Sequence, residues 1–178
     1  YAAPPDATFL ATLANAPELP ESPESPLSAA YNALLRASRA MDADAAEQEY
    51  TDLFVGVGKS EVNLHASHWL SGFMMDKPLA DLRGELAELG IERRDGSDLL
   101  EDHLASLAEV MRLLIAGGEG RAPAPVALQR RFFESRIAPW ALSCCDAISS
   151  CSLANYYRPA SEFAKTFLAV ERDSIAMD

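Results

Sequence analysis

The sequence has few basic residues, few cysteines and no long apolar run, and each shortage argues against a class of protein. Its 178 residues include 15 Lys and Arg against 27 Asp and Glu, which gives a formal net charge of −12. Such an acidic surface repels nucleic-acid phosphates, so DNA and RNA binding are disfavoured; it attracts basic partners, or simply keeps the protein soluble. No stretch approaches the roughly 18 consecutive apolar residues of a membrane-spanning helix, so we expect a soluble protein.

The cysteines lie close together in the sequence, at Cys144, Cys145 and Cys151. Adjacent cysteines rarely bridge each other, and three thiols leave one over, which fits a reducing cytoplasm. A metal site needs more ligands at suitable spacing, and none lies nearby. On a helix Cys144 and Cys151 are seven positions apart and share a face, so we expect these two side chains to fill core volume.

The chain also lacks a complete phosphate-binding loop. The run Gly58-Lys59-Ser60 has the ending of such a loop, but the earlier glycine belongs five positions before Gly58, where Leu53 stands. Residues 42–50 are rich in Ala, Glu and Asp and predict a helix, whereas a phosphate-binding loop follows a buried strand. The sequence therefore argues against nucleotide hydrolysis at this segment.

The same segment predicts the end of an amphipathic helix. Tyr50, Leu53 and Phe54 stand at positions i, i+3 and i+4 and share one helical face. We expect these residues to pack in the core and the helix to end at Gly56.

Helical periodicity recurs along almost the whole chain, and no segment alternates over the length of a strand. The strongest pattern steps by four and three residues through Leu100, Leu104, Leu107, Met111 and Leu114. Other helices are predicted over residues 6–15, 27–39, 66–75, 79–89, 125–136, 139 through the cysteines, and 152–170, the last one interrupted or bent near Pro159. This order predicts an all-α, single-domain helical bundle over residues 1–178, with a flexible linker at residues 117–125.

The strongest helix carries a polar pair near its start. Asp98 is predicted as the N-cap and Glu101 as the third helical residue, close to a capping box, which places Asp102 and His103 in the first turn. A binding pair at the mouth of the helix is one interpretation; a capping acid beside a half-buried, hydrogen-bonded histidine is the other, and the residues alone favour the second.

Two further groups of residues have both a functional and a structural interpretation. His65 and His68 have the spacing of two zinc ligands, with Glu61 upstream, but surface or hydrogen-bonded histidines are commoner. A soft apolar cluster suits an adaptable peptide groove, although core packing is the commoner explanation. Its members are Trp69, Phe73, Met74 and Met75.

In their order, the motifs resemble the TorD/DmsD family of cytoplasmic molybdoenzyme chaperones. The aromatic-x-x-Leu-Phe motif and its glycine turn match Tyr50, Leu53, Phe54, Gly56 and Gly58. The Asp-His pair before an apolar helix matches Asp102-His103, and the Phe-Phe…Pro-Trp run matches Phe132, Phe133, Pro139 and Trp140. The resemblance extends from about residue 31 to residue 171.

The chain departs from the family pattern in three places. Leu99-Leu100 replaces the usual Glu-Pro before the Asp-His pair, Trp69 stands for the family's aromatic residue after the glycine turn, and the family's first helix would lie before Tyr1. Residues 56–76 and the adjacent cysteines resemble chaperones associated with formate dehydrogenases.

The resemblance implies a TorD-like fold without catalysis or a cofactor of its own. It implies a cytoplasmic chaperone that binds an apo-molybdoenzyme catalytic subunit, recognises its twin-arginine signal peptide in many members, and assists molybdopterin cofactor insertion. Contacts with the client are expected from Trp69, Asp102, His103, Pro139 and Trp140, with Asp102 pairing an arginine. The protein is expected to be a monomer or a dimer that exchanges helices through residues 117–125.

Two other functions stay open on the sequence. One is a small hydrolase, with a metal held by His65 and His68 or a nucleotide bound by Lys59. The other is a helical scaffold whose partners have no connection with molybdoenzymes.

Overall fold

The computed structural model describes residues 1–20, 22, 24–94 and 96–177, and this part of the chain forms nine α-helices and no β-strand. The predicted all-α fold is confirmed. None of the described helices combines the length and the apolar character needed to cross a membrane.

Contacts between residues group the chain into two compact units. Unit 1 comprises Tyr1–Ala2, Asn63–Ala141 and Glu171–Asp178, and unit 2 comprises Ala3–Val62 and Leu142–Val170. The organisation of residues 1–178 as one domain therefore stays a prediction.

Unit 2 contains the first three helices and most of the last two. These are α1 (Ala7–Ala14), α2 (Pro26–Ala40), α3 (Ala43–Tyr50), α8 (Ala141–Ser150) and α9 (Tyr157–Met177). The starts of α1 and α3 follow from local sequence, because the carboxylates of Asp6 and Asp42 accept hydrogen bonds from backbone N–H groups three residues on. Proline occupies the first turn of α2, where its missing N–H costs nothing.

A π-helical turn, Thr51–Val55, continues α3 and ends at Gly56 as predicted. Leu53 is fully buried, and Phe54 lies edge-on to Tyr50 and Tyr157, with ring centroids 5.3 and 5.0 Å apart. The packing role predicted for the aromatic motif is thus seen in unit 2, although the last turn is wider than an α-helical one.

The start of α9 is held by a carboxylate from α3. Glu49 is buried and accepts the backbone N–H groups of Asn155, Tyr156 and Tyr157 at 2.8, 2.9 and 2.8 Å. These N–H groups precede or begin a helix and have no intrahelical acceptor, so the carboxylate takes the place of a local cap.

The predicted start of the last helix near residue 152 is wrong. The helix begins at Tyr157, not near residue 152, so Pro159 falls in the first turn, where an absent N–H breaks no intrahelical bond.

The cysteine segment forms α8, which begins at Ala141 and not at Pro139. Cys144 is fully buried, as expected, and so is Cys145; Cys151, which was also expected in the core, lies half-buried just beyond the helix. The structure describes all three, and none forms a disulfide bond. Burial raises the pKa of the Cys145 thiol to about 11, so this group is a poor nucleophile near neutral pH.

Unit 1 contains four helices and a second π-helical turn, Phe133–Ile137. The helices are α4 (Ala66–Ser71), α5 (Lys77–Glu88), α6 (Leu104–Ala116) and α7 (Val126–Phe132). Its core is formed by leucines of α5 and α6 together with Phe132, Phe133 and Trp140. Residues 117–125 connect α6 to α7 where a linker is predicted, and the N–H of Ala124 donates to the carbonyl of Leu114 at 2.8 Å.

Two helix boundaries in unit 1 differ from the predictions. Helix α4 ends at Ser71 and not at Met75, because Gly72 takes a left-handed conformation (φ 84°) and stops it. Helix α6 begins at Leu104, so the predicted capping box at Asp98 is wrong; Glu101 instead pairs with Arg83 at 2.9 Å.

Candidate functional site

The segments that precede α4 and α6 lie side by side in unit 1. His65 and His103 form an isolated antiparallel β-bridge. The N–H of Ala66 donates to the Asp102 carbonyl, and the N–H of Leu104 donates to the Leu64 carbonyl, both at 2.9 Å. Residues 64–67 and 102–105 are called the α4–α6 junction below, and they place the Asp-His pair before the helix, not in its first turn.

The side chain of Asp102 adds a further hydrogen bond between the two segments of this junction. Asp102 is fully buried, and its Oδ2 accepts the N–H of Ser67 at 2.9 Å. Its Oδ1 and the Ser67 hydroxyl are also buried, and neither has a hydrogen-bond partner among the described residues. A carboxylate in this position does not face solvent, so pairing with a client arginine requires the junction to open and stays a prediction.

His103 is the N-cap of α6. Its Nδ1 accepts the N–H of Ala105 at 3.1 Å, so the neutral ring carries its proton on Nε2. The ring lies edge-on to that of His65, with centroids 5.0 Å apart. Burial, and then the neighbouring His65, lower the pKa of His103 to about 4 from 6.5, against the opposing attraction of Asp102.

We expect the free energy of unfolding to fall as the pH falls from about 6.5 to about 4. The unfolded chain binds a proton at His103 in this window and the folded chain does not, so stability is present above the window and is lost within it. The pKa difference corresponds to at most about 3 kcal/mol. Urea unfolding at a series of pH values measures it.

The matched variant is His103→Asn, since asparagine is also a good N-cap but does not titrate. It is expected to have a flatter pH profile than the wild type between these pH values. Parallel profiles would show that His103 does not carry the effect.

Trp69 lies half-buried on α4 and is oriented by a residue that the sequence did not single out. Its indole N–H donates to the Asn63 carbonyl at 2.7 Å, and the Asn63 side-chain oxygen accepts the N–H of His65 at 2.9 Å. The Asn63 amide also approaches the Met74 sulfur at 3.2 Å. Asn63 and Ser67 are thus parts of the site that sequence reasoning missed.

The residues that follow Trp69 are exposed, although core packing was the commoner expectation. The α4–α5 apolar surface consists of Leu70, Phe73, Met74 and Met75. Phe73 is 72% exposed and Met75 is 70% exposed. A group of large apolar side chains in solvent is typical of an interaction site, and methionine adapts to irregular partners.

The remaining predicted site residues lie elsewhere in unit 1. Trp140 is 1% exposed, and its indole N–H donates to the Arg136 carbonyl at 2.8 Å. Pro139 beside it is exposed. Within the described chain, no hydrogen bond or ring contact links either residue to the α4–α6 junction, and their contact with a client stays a prediction.

The residues of the alternative hydrolase do not form a recognisable metal or nucleotide site in the described part of the chain. His65 and His68 are half-buried, and over the residues that the structure describes no three His, Cys, Asp or Glu side chains are grouped as metal ligands. Lys59 is exposed in the loop after the glycines.

Comparison with protein families finds a match over most of the chain. The model of the family described as nitrate reductase delta subunit matches residues 20–146, which run from the loop before α2 into α8. It is a family of chaperones related to TorD that mature molybdoenzymes. No curated protein matches the chain.

Proposed function

Because the chain belongs to the nitrate reductase delta subunit family of molybdoenzyme chaperones, we propose that it is the dedicated chaperone of one molybdoenzyme in the cytoplasm. It binds the cofactor-free catalytic subunit and keeps it open for molybdopterin insertion before assembly or export. The resemblance of residues 56–76 to formate dehydrogenase chaperones makes a formate dehydrogenase the proposed client.

The observation that carries this proposal is the α4–α5 apolar surface, held beside the α4–α6 junction. An unfinished catalytic subunit exposes apolar segments that are buried after assembly, and burying them against Phe73 and Met75 is favourable by about 25 cal/mol per Å². The methionine side chains of this surface adapt to irregular shapes, which suits a client that is not yet folded.

The net charge supports recognition of a twin-arginine signal peptide as well. Such a peptide combines a basic end with an apolar run. An acidic protein of net charge −12 attracts the first, and the apolar surface buries the second. Binding of a synthetic peptide of this type is expected to weaken as salt is raised, because exposed charges are screened.

The function is tested by affinity capture from the cells that make this chain. We expect the wild type to retain a molybdoenzyme catalytic subunit, identified by mass and enriched in its cofactor-free form. Phe73→Ser with Met75→Ser removes two large contacts worth about 1.5–3 kcal/mol each, so capture is expected to weaken at least about tenfold.

The matched control is Phe167→Ser with Val170→Ser on α9, where the replaced side chains are 44% and 45% exposed. It tests whether any loss of exposed apolar groups has the same effect, and it is expected to bind as the wild type does. A retained protein that is not a molybdoenzyme subunit, or equal capture by the Phe73/Met75 variant, contradicts the proposal.

A further inference from the structure

The buried carboxylate of Asp102 connects two elements that are distant in sequence. The backbone carbonyl of Asp102 accepts the N–H of Ala66, and its side-chain Oδ2 accepts the N–H of Ser67. One residue therefore satisfies the first two N–H groups of α4. The first N–H groups of a helix have no intrahelical acceptor, and a helix of only six residues is not stable alone. Helix α4 therefore depends on Asp102 for its place.

The position of α4 in turn sets the position of the exposed apolar residues. Leu70 lies on α4, and Phe73, Met74 and Met75 follow directly after its last residue. Gly72 and Met75 both have positive φ (84° and 56°), so the chain turns sharply here, and its direction is set by the helix before it.

We propose that Asp102 is a positioning residue, which fixes the α4–α5 apolar surface by anchoring α4 to the start of α6 and does not itself contact the client. This rests on the proposed function, in which that surface binds the client. It assigns the Asp-His motif a different task from pairing with a client arginine.

The geometry gives the two roles opposite requirements. An anchor needs an acceptor at the place of Oδ2 and no charge, because its donor is a neutral backbone N–H. A contact with arginine needs the negative charge and tolerates a change in the length of the side chain. Asp102→Asn keeps the acceptor and removes the charge, whereas Asp102→Glu keeps the charge and moves the carboxylate by one methylene.

The experiment compares both variants with the wild type in binding the purified catalytic subunit recovered by capture. With Asp102 as an anchor, the Asn variant is expected to bind within about threefold of the wild type and the Glu variant about tenfold more weakly, the scale of leaving one buried backbone donor without its acceptor. Loss of binding in the Asn variant with retention in the Glu variant overturns the proposal. If the Glu variant does not fold, the Asn result decides alone.

A second readout does not need a client. Hydrogen exchange at the Ser67 amide is expected to stay slow in the Asn variant and to become at least about tenfold faster in the Glu variant. If the wild type captures no molybdoenzyme subunit but exchange follows this pattern, the proposed function fails and the anchoring of α4 stands. Fast exchange in the Asn variant, or unchanged exchange in the Glu variant, overturns the anchor itself.

Discussion

Replacing Glu49 by alanine is expected to lower the free energy of unfolding by about 3–5 kcal/mol. The carboxylate is buried and accepts three backbone N–H groups at the start of α9, from Asn155, Tyr156 and Tyr157. Alanine leaves all three donors without an acceptor in a place that water reaches poorly, and a buried donor without a partner costs more than its hydrogen bond contributes. Urea unfolding followed by circular dichroism measures the loss.

Two variants on the same helix separate this role from ordinary surface charge. Glu47 is exposed on α3, so Glu47→Ala is expected to change stability by less than about 0.5 kcal/mol. Glu49→Gln keeps one acceptor oxygen and is expected to lie between the two alanine variants. Equal effects of Glu47→Ala and Glu49→Ala would show that Glu49 does not stabilise the protein by capping α9.

The second large effect is expected at Gly56. Its backbone angles, φ 64° and ψ 176°, fall in a region that essentially only glycine occupies. A Cβ there would lie 2.1 Å from the carbonyl oxygen of Lys59, which is backbone and cannot rotate away. Gly56→Ala is therefore expected to cost about 3 kcal/mol and to lower the Tm by about 6–12 °C.

The loop provides its own control in Gly58. Its φ is also positive, at 87°, but nothing lies within 4 Å of the place a Cβ would take. Gly58→Ala is expected to cost only the left-handed conformation, about 1–2 kcal/mol. A Tm for Gly56→Ala no lower than that for Gly58→Ala would show that the contact with Lys59 is relieved by movement of the loop.

Features set by neighbouring residues in the sequence were predicted well. Helices are predicted over residues 6–15 and 42–50, where the structure has α1 and α3, and the spacing of Tyr50, Leu53 and Phe54 predicts a packed face that ends at Gly56. The helix positions and the glycine stop depend on residues close together in the sequence, whereas a partner of the packed face, Tyr157, lies 103 residues after Phe54 and could not be predicted.

Features set by distant residues were not predicted. The start of α6 was placed too early because the leucine pattern continues through Leu100, whereas the pairing of residues 102–105 with 64–67 holds that segment out of the helix. The burial of Asp102 has the same origin, since its acceptor role needs Ser67, 35 residues away. No local pattern indicates such a partner.

The apolar cluster after Trp69 shows how one boundary changes an interpretation of function. A helix continued to Met75 places Phe73 and Met74 on a face that can pack inward. The helix ends at Ser71, and the side chains beyond Gly72 enter solvent. Gly72 is the residue that could have indicated the end of the helix. A glycine stops a helix in this way when it takes a left-handed conformation, and the sequence alone does not show that conformation.

The cap on α9 also determines when unit 2 can be finished during translation. The N–H partners of Glu49 are encoded 106 to 108 residues after it, so a ribosome adding about 5–20 residues per second delivers them some 5–20 s later. Nearly all of unit 1, residues 63–141, emerges in that interval. The nascent chain therefore has its α4–α5 apolar surface before it has a complete unit 2, and a truncated chain that stops before residue 155 is expected to carry this surface without a complete unit 2.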